Sequence, residues 1–166
     1  DENILSFPEP HAISFASGTA RGLSLVTASF TTDWFSHMRL DNATITPTAY
    51  SFNEGEETPL PKNELFPLDA AQKDNHIFFS CRGSMDANIK GQVQSWNLIS
   101  FENESVYEFE TTSKPWHIIE SPISNEIFVV LSGDEESSGS AGLACLSYSE
   151  SGELSLKWET LSSTFD

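Results

Sequence analysis

The chain has 166 residues, enough for one domain with a real core, and its 38% hydrophobic and 11% aromatic content excludes a disordered polymer. Its 25 acidic residues against 8 basic ones give a formal net charge of −17, which argues against nucleic acid and anionic lipid as partners. No apolar run approaches the ~20 residues that cross a bilayer as a helix.

The chain opens at Asp1 with no initiator methionine and no signal peptide, as expected of a processed or truncated product. A first pattern runs over residues 10–52. In "PHAISFASGTARGLSLVTASF" a His-led strand, a polar turn and an apolar strand follow one another, and "DWFSHMRLDNATITPTAYSF" supplies two more strands around Asp41-Asn42. The segment 53–75 then holds three prolines (Pro59, Pro61, Pro67) and the acidic cluster Glu54, Glu56 and Glu57. It reads as a solvated loop, with 53–64 as the linker proper, or as a long loop over the mouth of a ring.

Residues 65–113 and 115–162 form two closer copies. A shift of 50 residues lays "NHIFFSCRG" on "NEIFVVLSG", so that Asn75 meets Asn125, Ile77 meets Ile127, Phe78 meets Phe128 and Gly83 meets Gly133. The same shift lays "GQVQSWNL" on "AGLACLSY". With a slip of one residue, "ESVYEFETTS" falls on "ELSLKWETLS", pairing Glu104 with Glu153 and Phe109 with Trp158. In the last copy the expected strands are "WHIIES", "EIFVVLS", "GLACLSYS" and "LSLKWETL", separated by turn chemistry such as "SGDEESSGSAG". The continuous apolar run of "EIFVVL" predicts an inner strand covered on both faces.

No segment keeps a 3.6-residue period for three turns, so the expected class is all-β. Four strands recurring every ~40–50 residues are the signature of a β-propeller blade. A tandem pair of β-sandwiches would break mid-chain, where a third copy stands instead. Closed propellers typically hold 4 to 8 blades, and about three blades fill this chain. It is therefore expected to be part of a larger ring, completed by another chain or by a second copy of itself.

The sequence "IFFSCRGSMDANIKGQVQSWNL", continuing in "PWHIIESPISNEIFVVLSGDEESSGSAGLACLSYSESGEL", resembles the C-terminal half of the lactonase-type seven-bladed propellers. Fungal 3-carboxy-cis,cis-muconate lactonizing enzymes and bacterial 6-phosphogluconolactonases belong to that family. The resemblance covers residues 65–160 well and 10–52 loosely. It implies a pocket at the channel mouth in which arginines and histidines hold substrate carboxylates, and it puts Arg82 in the place of one such arginine. Where the family carries His-Pro-Arg at the start of a blade's first strand, this chain has Pro10-His11-Ala12 and Pro115-Trp116-His117.

Opening or forming a lactone needs a cation for the carboxylate and the developing oxyanion, and a group that moves one proton near neutral pH. Arg82 fits the first task and His117 or His11 the second. The plainer readings are a loop salt bridge for Arg82 and structural contacts for both histidines. His37 and His76 read as structural. No catalytic, phosphate-binding or calcium-loop motif is present, and neither a cofactor nor a metal is expected. Cys81 and Cys145 fit no metal spacing and read as two buried free thiols or a single disulfide. Sequons at Asn42 and Asn103 leave both a cytoplasmic and a secreted location open.

Two functions follow. One is a lactonase-like propeller, an enzyme when complete, acting on a small carboxylated molecule. The other is a non-catalytic propeller that binds a protein or a ligand.

Overall fold

The computed structural model describes residues 10–19, 22–29, 34–39, 48–51, 65–84, 89–109, 114–134 and 137–162. These residues form twelve strands in three four-stranded antiparallel sheets, and no α-helix. The first sheet joins β1 (Pro10–Thr19), β2 (Gly22–Ser29), β3 (Trp34–Arg39) and β4 (Thr48–Ser51). The second joins β5 (Pro67–Lys73), β6 (His76–Cys81), β7 (Gln92–Asn97) and β8 (Asn103–Glu108). The third joins β9 (Pro115–Glu120), β10 (Glu126–Asp134), β11 (Ser137–Tyr148) and β12 (Leu154–Leu161). Each sheet is a simple meander in chain order, the blade of a β-propeller.

The blades stack through their first strands, β1 against β5 and β5 against β9. Alternation then decides which side chain meets which neighbour. On β6, Ile77, Phe79 and Cys81 turn toward the first blade and pack with Ala12, Val26, Ala28 and Phe35. Phe78 turns the other way and packs, with Val93, against Ile127, Val129, Leu131 and Leu146 of the third blade. The middle blade is thus covered on both faces, and every residue of β6 is buried. Among the described residues, each outer blade has one face covered by a neighbouring blade.

That corrects the reading of "EIFVVL". Ile127, Val129 and Leu131 are buried against the second blade, but Val130 on the opposite face is 41% exposed. The run is apolar on both faces, yet the described residues place a neighbouring blade against only one of them.

The proline-rich segment before the second copy is also not all loop. Its residues 67–73 are β5, the first strand of the middle blade. "PLDAAQK" lacks apolar alternation because first strands lie closest together, where the small Ala70 and Ala71 pack between sheets.

All three first strands open alike. Proline makes the first pair with the second strand (Pro10 with Ser29, Pro67 with Cys81, Pro115 with Leu131), and the next residue bulges out of register. The bulged residues are His11, Leu68 and Trp116, and the residues that resume pairing are Ala12, Asp69 and His117. His11 and His117 therefore occupy different places in their blades, although both had read as the histidine leading a strand.

Candidate functional site

The candidate residues lie at the end of the stack where the first strands begin. β5 and β9 run parallel there, as contacts at both ends of the seam show. At the near end the Ile118 N–H donates to Asp69 Oδ2 (3.1 Å), and the Ser80 hydroxyl donates to the Trp116 carbonyl (3.2 Å). At the far end Lys73 Nζ donates to the carbonyls of Ser121 (2.6 Å) and Ser124 (2.7 Å). A peptide group and a carboxylate thus fix the order of the two strands at one end, and an ammonium on two carbonyls at the other.

His117 resumes pairing just after the β9 bulge, and its side chain is 63% exposed. Its Nδ1 stands 3.2 Å from Asp69 Oδ2, while Asp69 Oδ1 accepts from the Ala70 N–H at 2.9 Å. Asp69 thereby orients the imidazole and leaves most of the ring to solvent.

Arg82 follows the last residue of β6 and is half-buried. Its N–H donates to the Phe66 carbonyl (3.0 Å), and the Gly83 N–H donates to that of Leu65 (2.9 Å). Ser84 and Ile89 then exchange two backbone hydrogen bonds, which closes the loop back on itself. Gly83 has φ +72°, and a Cβ there would strike the backbone of Ile89 and Lys90, so the turn that carries Arg82 needs glycine. No ion pair of Arg82 with another residue is found among the described residues.

Arg82 and His117 are thus brought to the same end of neighbouring blades. Arg82 lies two residues beyond Ser80, Ser80 pairs with Asp69, and Asp69 holds His117. His11 sits on the bulge of β1, and its side chain lies outside the described residues. Asp69 and Ser80 were missed as candidates. The signal for Asp69 was its place two residues after a strand-opening proline, the place that His117 holds after Pro115.

The other two histidines are tied into the sheets. His37 Nε2 lies 2.8 Å from the buried Ser24 hydroxyl, which donates to Gln72 Oε1 at 2.6 Å. His76 Nδ1 lies 2.7 Å from Glu104 Oε2. Cys81 and Cys145 are both buried and free, and burial raises the pKa of each thiol. Of the two sequons, Asn42 lies outside the described residues. Asn103 is in β8, its amide donating to Gln94 Oε1 at 3.3 Å. Among the described residues, no group of three or more His, Cys, Asp and Glu could hold a metal ion, and no helix is long and apolar enough to cross a membrane.

The described residues define an all-β fold of three four-stranded propeller blades. No family model matches the chain, and no curated protein matches it. Among solved structures, it is similar to a chain in the "Crystal Structure of Mitotic Checkpoint Complex", with 14% identity and a TM-score of 0.48. The match covers 89% of this chain and 52% of that one, so the chain spans about half the length of the structure it resembles.

Proposed function

We propose that the chain is a binding scaffold, a segment of a propeller that associates with another polypeptide through the ends of its blade stack. The observation that carries this reading is the pair of apolar sheet faces that no blade among the described residues covers. On the first blade Ile13 is 64% and Phe15 60% exposed. On the third, Ile119 (63%), Leu143 (48%), Trp158 (43%) and Val130 lie exposed together on one face. Exposed apolar side chains grouped in this way mark interaction surfaces. Fully burying one such side chain stabilises by roughly 1.5–3 kcal/mol. The test is sedimentation of the purified chain together with dye binding. The reading predicts a particle heavier than one chain, or, where the chain is single, bis-ANS binding that Ile119→Asp reduces. A single chain that binds no dye contradicts it.

A second reading, lactonase-like catalysis, is favoured by one arrangement: Arg82 and His117 stand at the same end of adjacent blades. In this reading the Arg82 guanidinium holds a substrate carboxylate. His117, oriented by Asp69, moves the proton that ring opening or closure requires. The substrate is a small carboxylated lactone. Turnover of such a lactone, lost in Arg82→Ala with sheet structure intact, supports this reading. Turnover that Arg82→Ala leaves unchanged removes it.

A further inference from the structure

Both blade-to-blade junctions in this chain are of one kind. Register places Val26, Phe78 and Phe128 at the same position of their blades, and Leu25, Ile77 and Ile127 at the next one. The face that carries the first set is the leading face, and the face that carries the second is the trailing face. At the first junction the leading face with Val26 meets the trailing face with Ile77. At the second the leading face with Phe78 meets the trailing face with Ile127. Among the described residues two faces have no neighbouring blade: the leading face of the third, with Ile119, Val130, Leu143 and Trp158 exposed, and the trailing face of the first, with Ile13 and Phe15 exposed.

We infer that the leading face of the third blade receives the trailing face of the first blade from a second copy of this chain, so that two copies close a six-bladed ring. The inference rests on the scaffold reading and names its partner. The junction it creates repeats the two already present, leading face on trailing face. A twofold axis along the channel forms that junction twice and leaves no sheet face open. Three blades from each copy give a total within the usual 4 to 8. Pairing two leading faces, or two trailing faces, would make a contact seen nowhere in the stack.

The experiment measures the mass of the purified 166-residue chain by native mass spectrometry and sedimentation, for the wild type and for two variants. The wild type is expected at twice the chain mass. Phe15→Asp and Ile119→Asp are each expected to weaken self-association by roughly 100-fold or more. An equimolar mixture of the two variants is expected to recover the double mass, because one junction then joins two unaltered faces. Neither variant can do so alone. Far-UV circular dichroism checks that the sheets persist, and Leu143→Ser replaces Ile119→Asp if they do not. A wild type of single-chain mass, a double mass unmoved by the variants, or a mixture that fails to recover it overturns the inference. A single chain that still binds bis-ANS at the Ile119 face overturns only the second copy and leaves the scaffold. One that binds no dye overturns both.

Discussion

Glu104 and Lys157 occupy the same place in successive blades. Each is the extra residue of a bulge in the outermost strand, between Asn103 and Ser105 in one case and between Leu156 and Trp158 in the other. Each reaches back to the residue that opens its blade's second strand, Glu104 to His76 and Lys157 to Glu126. Charge is exchanged between the two positions while the geometry is kept. The solvation differs: the side chains of His76 and Glu104 are 5% and 13% exposed, whereas Lys157 is about half exposed. Glu104 also accepts from the Asn97 amide (2.8 Å) and the Ser95 hydroxyl (3.4 Å). Glu104→Ala leaves these donors without their acceptor and is expected to destabilise by about 2–3 kcal/mol in urea unfolding. Lys157→Ala, at an exposed pair, is expected to change the unfolding midpoint far less.

Asp69 fastens the second blade to the third through its bonds to the Ile118 N–H and His117. Asp69→Ala is therefore expected to lower stability by about 1–2 kcal/mol. His117→Ala, which removes only the exposed partner, should have a smaller effect. Equal losses in the two variants under chemical denaturation would show that the seam depends on the imidazole rather than on the backbone.

Gly152 turns the chain between β11 and β12 at φ +77°, and a Cβ there would strike the carboxylate of Glu104 and come within 2.9 Å of the Ser95 hydroxyl. Gly152→Ala is expected to cost about 1–3 kcal/mol from backbone strain and this collision. Part of that loss should vanish in the Glu104→Ala background. A double-mutant cycle with no coupling would place the whole effect in the backbone.

Glu159 has a buried Oε1 with no hydrogen-bond partner among the described residues, and burial raises its pKa above the ordinary 4.5. A raised carboxyl pKa means that the folded state binds the proton more tightly than the unfolded one. Its contribution is present below the unfolded pKa and is lost as pH rises through the folded pKa. Glu159→Gln is thus expected to melt higher than wild type at pH 7. The gap should close below about pH 4, where both side chains are neutral. A gap that persists in acid would assign the gain to packing instead.

Association of a chain with a charge of −17 brings like charges together, so assembly should strengthen as salt screens them. Sedimentation at low and moderate ionic strength checks this, and weaker assembly at higher salt would point to a specific ionic contact at the junction.

What the sequence revealed was the part set by local chemistry. The identity of Gly83 with Gly133 marks two turns with φ of 72° and 71°, a conformation that a Cβ disfavours. The 50-residue shift that aligns Ile77 with Ile127 and Gln94 with Ala144 is the register of the sheets themselves. The shift that set Glu104 on Glu153 is not. Between the equivalent pairs Trp96–Asn103 and Leu146–Leu156 lie residues 97–102 in one blade and 147–155 in the other, so Glu104 corresponds to Lys157. Hairpin length is a property of pairing, and identities in short polar strands do not report it. β5 was hidden because small residues at a crowded seam leave no periodic signal. Arg82 was visible as a scarce cation, whereas Asp69 acquires its role only through a blade 48 residues away.

The most direct test of the central claim, that the open faces are blade-to-blade surfaces, is hydroxyl-radical footprinting of the assembled particle against the Phe15→Asp variant. Trp96, buried between the first and second blades, should be protected in both. Trp158 and Phe128, whose rings lie 6.3 Å apart on the leading face of the third blade, should be protected only in the assembled particle. Equal modification of Trp158 in the two samples would contradict the account.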